Sequence, residues 1–311
     1  MTKRLLPLIL ALLLAACGGR ADRDVSVVIP PGSSLKAAAA TLEEAGAIES
    51  ASAFLNYARV FGSDAPIRPG EYEIKKGMSA GDVLGLLQAG KTLQRFVTVV
   101  PGMPSIVVQE RLQAAPFLTG DVEVPAEGSV LPDSYAYTRG EKRSAVLKRM
   151  QQAMSRTLAE LWANRSANTV ARTPEEAIIL AGIVEKETGK PSERRTVAGV
   201  YSNRLKTGMR LQADPTVIYP VTKGKPLGRR ILRSELTADN GYNTYARAGL
   251  PIGPITNPGK AAIEAVLNPA PTRYLYFVAD GTGGHVFAET LAEHNANVAK
   301  WYAIRRSRGE M

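Results

Sequence analysis

The sequence predicts an α+β fold of two domains, a small N-terminal α+β unit followed by a larger mixed α/β domain. Three observations lead there. The chain has 311 residues, about twice the usual domain length. A strand–glycine–helix pattern recurs in the first third. From residue 143 onward, long stretches carry apolar residues at helical spacing.

Composition narrows the class. Hydrophobic residues make up 45% and charged residues 22% of the chain, as in ordinary globular proteins. A disordered acidic chain, a multi-span membrane protein and a disulfide scaffold are all excluded, the last because there is one cysteine. Two histidines, His285 and His294, cannot form a three-histidine metal site. No metal or other cofactor is expected.

Residues 1–17 read as an export leader. Lys3 and Arg4 precede an apolar run from Leu5 to Leu14. That run is too short to span a bilayer, which takes about 20 residues, but suits a signal peptide. It ends in Leu14-Ala15-Ala16-Cys17, which resembles a bacterial lipobox, with Cys17 as the acylated residue and new N-terminus. Several acyl chains would tether the protein firmly. Loss of Lys3 and Arg4 with the leader lowers the net charge from +10 to +8. Outside the inner membrane that charge leans toward phospholipid headgroups or the carboxylates of the cell wall, rather than nucleic acid.

After a linker at 18–25, the small unit spans 26–95. Its pattern appears at Val28–Gly32 leading to Leu42 and at Tyr72–Gly77 leading to Leu87, and returns at Val97–Gly102 leading to Leu112. Ser34 and Ser79 stand where helix N-caps belong, Ser79 with Asp82 as a capping box. Gly46 and Gly90 stand at helix C-termini. Gly77-Met78-Ser79-Ala80-Gly81 also matches the nucleophile elbow of serine hydrolases, but it follows a half-exposed alternating strand rather than a buried one. Ser79 is read as a cap.

Residues 96–140 form a connector, and the larger domain occupies 141–311. Val146, Met150, Met154, Leu158, Leu161 and Trp162 mark one apolar helical face. Thr173-Pro174-Glu175-Glu176 then opens a helix with a capping Thr, Pro in the first turn and Glu at the third position. Ala177 to Val184 is apolar all round, and the helix is expected to stop at Gly189. Its last turn holds Glu185 and Glu187, whose charges oppose the helix dipole. A local rule broken at the end of a buried helix points to function.

The two glutamates project roughly 160° apart, so they cannot act as a pair. Glu187 shares a face with Leu180, Ile183 and Val184. Burial and the dipole would raise its pKa, as a general acid requires. An ion pair with Lys186 or Lys190 accounts for it equally well at this point. Glu185 is suited to orienting neighbours by a salt bridge or hydrogen bond. Gly281-Thr282-Gly283-Gly284 reads as a hairpin turn rather than a phosphate loop. Lys223, Lys225, Arg229, Arg230 and Arg233 read as a solvated basic loop.

Longer stretches carry a family resemblance. They are Ala181 to Thr188, Val200 to Leu205, Gly208 to Tyr219, Tyr242 to Tyr245, Gly249 to Ile255, Asn257 to Gly259, Tyr274 to Gly281, and Gly284-His285 with Phe287. Together with Glu127 to Tyr135 and the LysM-like repeat, they resemble the endolytic murein transglycosylases. The resemblance covers essentially the whole chain after residue 26. It implies a LysM-like N-terminal domain and a catalytic domain that cuts nascent peptidoglycan glycan strands internally and ends their elongation. The catalytic Glu falls on Glu187. It would protonate the MurNAc–GlcNAc linkage while the sugar's own 6-hydroxyl closes onto C1, giving a 1,6-anhydro end. One carboxyl serves such chemistry, where most glycosidases need two.

Asn203, Gln212, Asp214, Tyr219 and Asn243, with Glu185, are candidates for contacting sugar or holding Glu187; each also fits a turn or packing role. Peptidoglycan synthases are candidate partners. The family's longer transmembrane anchor is replaced here by the short run and lipobox, so the protein is expected to face the periplasm from a membrane. Two other readings stay open: a non-catalytic glycan-binding lipoprotein, and a water-using hydrolase that pairs Glu187 with Asp214.

Overall fold

The structure, a computed structural model, describes residues 21–310, so the leader and Cys17 lie outside the described residues. The chain divides into two compact units, 21–96 with 136–141, and 97–135 with 142–310.

The first unit begins with β1 (Val25–Ile29), α1 (Leu35–Glu44) and α2 (Ala51–Phe61). It continues with β2 (Gly70–Ile74) and α3 (Ala80–Ala89). β1 and β2 pair antiparallel, Val27 opposite Tyr72, and alternation sends Val27, Ile29, Tyr72 and Ile74 into the core. Helix starts follow capping chemistry. Ser34, Ser50 and Ser79 each accept a backbone N–H in the first turn of α1, α2 and α3. The Ser79 N–H donates to the Asp82 carboxylate at 2.9 Å, which completes its capping box, and Gly90 closes α3 in the left-handed conformation. Leu42, Phe54, Val83 and Leu87 fill the space between helices and sheet. One carboxylate is buried in this unit: Glu71 takes two hydrogen bonds from Arg95, each 3.0 Å. Those bonds hold its pKa below the usual carboxylate value against the opposing effect of burial.

β3 (Arg95–Thr98) pairs with β4 (Ser134–Tyr137). The second unit also contains α4 (Ser105–Ala114), α5 (Arg143–Ala163), α6 (Pro174–Glu187), α7 (Arg194–Lys206) and α8 (Asp214–Thr222). It is completed by α9 (Arg233–Thr237), α10 (Lys260–Leu267), the antiparallel hairpin of β5 (Tyr276–Ala279) and β6 (His285–Ala288), and α11 (Leu291–Ser307). α6 forms the centre. Ala177, Ile178 and every residue from Leu180 to Val184 are buried, and α5, α7, α8 and α10 pack around it. A helix apolar on all sides needs such a complete coat.

Two polar side chains organise this core. Asn257 is wholly buried; its amide donates to the Met103 carbonyl and to Ser105 Oγ, and its oxygen accepts from Val130. Arg143 donates to the Leu112 and Gln113 carbonyls at the C-terminal end of α4, where a cation is favoured. Among the described residues, no helix is long and apolar enough to cross a membrane.

Three local details differ from the sequence expectation. α6 ends at Glu187 with Thr188 extended, two residues before Gly189, because Thr188 leaves helical geometry and turns the chain toward α7. The expected basic loop contains α9, which begins at Arg233 and is closed by Glu235 reaching back to the Leu232 amide. α2 has no counterpart in the strand–glycine–helix pattern; it lies between the two copies.

Candidate active site

Glu187 is the last residue of α6, on the face that meets α7. Its carboxyl lies in a largely desolvated place, and burial is the main cause that pushes its pKa up to about 7. The nearby negative charge of Asp214 pushes the same way, while a hydrogen bond from Tyr201 and the positive charge of Arg204 pull down. The result is a carboxyl close to half-protonated at neutral pH.

α7 supplies the two opposing groups, three residues apart on one face. Tyr201 is 1% exposed and packs edge-on against Phe277, ring centres 5.8 Å apart. Burial raises its own pKa well above the ordinary value, so the phenol stays a hydrogen-bond donor. Arg204 is almost as deeply set. It donates to the Leu275 and Leu211 carbonyls, each at 2.7 Å. Those bonds fix a buried cation beside Glu187 without giving it a carboxylate partner of its own.

Asp214 opens α8. One of its oxygens accepts from the Tyr245 hydroxyl at 2.6 Å. Burial and this bond raise the Tyr245 pKa, as does the charge of Glu187, so Asp214, Tyr245 and Glu187 share one electrostatic neighbourhood. The loop carrying Tyr245 is built by Asn243. The Asn243 amide donates to the carbonyls of Glu235, Leu236 and Ala238, and its oxygen accepts from the Tyr245 N–H. Thr244 and Thr216 join at 2.8 Å and fasten that loop to the start of α8. Gln212 lies just before it with φ +52°, a left-handed conformation that costs a non-glycine residue on the order of 1 kcal/mol. Its N–H is tied to the Thr244 carbonyl, and its side chain is exposed.

The remaining candidates serve elsewhere. Glu185 accepts from the Gly259 N–H at 2.9 Å, a carboxylate at the start of α10 where the helix dipole favours it; Arg194 approaches to 3.7 Å. Asn203 donates to the Thr272 and Tyr274 carbonyls. Tyr219 stacks obliquely on Tyr242, ring centres 5.0 Å apart, and burial lifts its pKa to about 12. Thus Asp214 is brought into Glu187's electrostatic neighbourhood, Gln212 and Asn243 shape the adjoining loops, and Glu185 and Asn203 hold backbone. Among the described residues, no three metal-capable side chains cluster.

Sequence reasoning missed Tyr201, Arg204 and Tyr245, although all lie inside the motifs that carry the family resemblance. It also passed over Glu127. Burial raises that carboxyl to about 7; one oxygen accepts from the Ser105 N–H, and the other is buried without a hydrogen-bond partner among the described residues. None of these residues breaks a local sequence rule, and Arg204, Tyr245 and Glu127 stand in largely polar stretches.

Comparison with known proteins agrees over most of the chain. The sequence pattern of the YceG-like family matches residues 27–300. The chain is 30% identical to the endolytic murein transglycosylase of Bacillus subtilis (strain 168), covering 91% of this chain and 86% of that protein. It is 29% identical to the protein of that name from Streptococcus pneumoniae serotype 2, over 89% of this chain but 58% of that longer relative. The crystal structure of a yceG-like protein from Listeria monocytogenes is similar with a TM-score of 0.54 and 26% identity, covering 88% of this chain and 99% of that one.

Proposed function

Because the chain belongs to the YceG-like family, we propose that it cleaves peptidoglycan strands internally by lytic transglycosylation, with Glu187 as the acid. The observation that carries this reading is the Glu187 carboxyl, held near neutrality at the end of a buried helix. The B. subtilis relative is named for the same activity. Glu187 in its protonated form donates to the glycosidic oxygen as the bond to C1 breaks. Arg204 and the Tyr201 hydroxyl then stabilise the carboxylate that remains. That carboxylate accepts the proton of the MurNAc 6-hydroxyl as its oxygen closes onto C1. The product is a 1,6-anhydro end, and no water is consumed. Burial, helped by the charge of Asp214, favours the protonated form of the resting carboxyl, while Tyr245 holds Asp214 in place.

The export leader and Cys17 support a lipid-anchored protein facing the periplasm, where it would meet nascent strands. The family resemblance would place it at the inner membrane, beside the peptidoglycan synthases that make its substrate. The βααβ arrangement of β1, α1, α2 and β2 supports a LysM-like, glycan-holding role for the first unit.

A water-using reaction has one observation in its favour, the carboxylate of Asp214 beside Glu187. Product analysis separates the two. Purified nascent strands are treated with the wild type and Glu187→Gln, and the fragments are weighed by mass spectrometry. Anhydro ends made by the wild type alone are expected. Reducing ends would replace the lytic step with hydrolysis. Cleavage by neither protein would leave a binding module.

A further inference from the structure

α7 has a second polar face. Ser202 is 2% exposed, yet its hydroxyl has no hydrogen-bond partner among the described residues. A helical serine in that position ordinarily donates to a carbonyl one turn back, and a buried polar group left alone calls for an explanation. Ser202 lines an open pocket of about 610 Å³ together with Asn203, Lys206, Arg273 and Tyr274. Gly199 sets its depth. A Cβ there would lie 2.7 Å from the Ala270 carbonyl oxygen, so only glycine lets the 269–273 segment close against the helix and form the opposite wall.

The charges at the mouth are unequal. Lys206 is exposed and forms no ion pair among the described residues. Arg273 is 87% exposed and lies 3.4 Å from Glu289. One positive charge is therefore left over above an unpaired buried hydroxyl. A hydroxyl donor below an ammonium group is suited to a carboxylate, and the Tyr274 ring and nearby prolines offer flat apolar surface to the chain that carries it. We propose that this pocket binds the carboxylate of a short acidic peptide, the peptide substituent of the glycan strand. The proposal rests on the peptidoglycan reading above.

The pocket is linked to the acid through one stretch of chain. Asn203 holds the Thr272 and Tyr274 carbonyls, and its neighbour Arg204 holds that of Leu275. A peptide that orders the 272–274 wall therefore orders the segment that anchors Arg204, whose charge acts on Glu187. Binding in the pocket and readiness of the acid become coupled.

The test has a binding arm and a turnover arm, both on the full chain. Calorimetric titration compares N-acetyl-Ala-Glu amide, whose side chain is its one carboxylate, with its uncharged analogue N-acetyl-Ala-Gln amide, on the wild type and on Lys206→Glu. The acidic dipeptide is expected to bind the wild type and to lose about tenfold in affinity in Lys206→Glu, as removal of a charge partner does. Equal affinity for both dipeptides, no binding, or no effect of the substitution would overturn the proposal. Turnover is then compared on glycan strands with their peptides intact and with the peptides removed by an amidase. Lys206→Glu is expected to lower kcat/KM about tenfold on intact strands and less than about twofold on stripped ones. Equal losses on both would reduce Lys206 to a general electrostatic role and overturn the pocket. If the wild type cuts neither strand, the transglycosylase reading fails, and the dipeptide titration still decides the pocket.

Discussion

At the scale of single residues, Glu187 governs how the protein should respond to pH. In the proposed reaction its carboxyl must be protonated to act as the acid, and burial lifts its pKa to about 7. Turnover on purified strands is therefore expected to fall on the alkaline side of about pH 7. Neighbouring substitutions should move that limb in opposite directions. Tyr201→Phe removes a hydrogen bond that lowers the pKa, so the limb moves up in pH. Asp214→Asn removes a charge that raises it, so the limb moves down. A rate–pH profile of each variant checks both signs; shifts in the same direction would remove Glu187 as the titrating group. Stability carries the same signature. The folded pKa lies above the unfolded value, so the native state binds more protons between about pH 4.5 and pH 7. Glu187 favours folding below that window and loses its contribution as pH rises through about 7. Glu187→Gln is therefore expected to be inactive yet more stable than the wild type at pH 8, by about 1–3 kcal/mol in urea unfolding. The advantage should shrink toward pH 5.

At the scale of elements, stability in the second unit depends on a few buried polar side chains that join segments far apart in sequence. Asn257 ties the 103–105 turn and Val130 together from one wholly buried amide. Asn257→Ala would leave the Val130 N–H without a partner and take one bond each from the Met103 carbonyl and the Ser105 hydroxyl, and a loss of about 2–4 kcal/mol is expected by chemical denaturation. Activity per folded molecule should change less than stability, because Asn257 holds backbone rather than substrate. Here the limits of sequence reading have a physical cause. Helix starts at Ser34, Ser79 and Thr173 were legible because a cap is chemistry between residues three apart. α2 was missed although Ser50 caps it in the same way, since the repeat drew attention to strand-to-helix junctions and α2 follows a helix. Glu187 was legible because a carboxylate in a last turn breaks a local rule. Tyr201 and Arg204 break none; they matter only because the packing of α7 against α6 brings them to that carboxylate. Glu185 breaks the same rule as Glu187, and only the fold tells the two apart, by bringing the Gly259 amide to one and Tyr201 to the other.

At the scale of the whole molecule, charge and the proposed exported setting belong together. Residues 18–311 carry eight positive charges in excess, suited to a surface rich in carboxylates and phosphates. Screening weakens such attraction, with a Debye length of about 10 Å at 0.1 M salt and about 3 Å at 1 M. Retention on isolated cell walls is expected to drop as salt rises from about 0.05 M to about 0.5 M, measured by co-sedimentation. Turnover of short soluble fragments should change much less, because Tyr201 and Arg204 beside Glu187 are buried and poorly screened. If both fell together, the net charge would be acting at the catalytic centre rather than in wall attachment.

The carboxyl that is half-protonated at neutrality also has a pharmacological side. A sugar mimic carrying an ammonium group in place of the glycosidic oxygen would need Glu187 ionised. Below pH 7 its affinity should climb about tenfold for each pH unit until the carboxyl is fully charged. Turnover requires the opposite protonation state, so such a compound would grip hardest where the enzyme works least. An uncharged lactam mimic, which accepts a proton-bearing carboxyl, would follow the activity instead. The pair would make a simple set of chemical probes for which form of Glu187 a given environment holds.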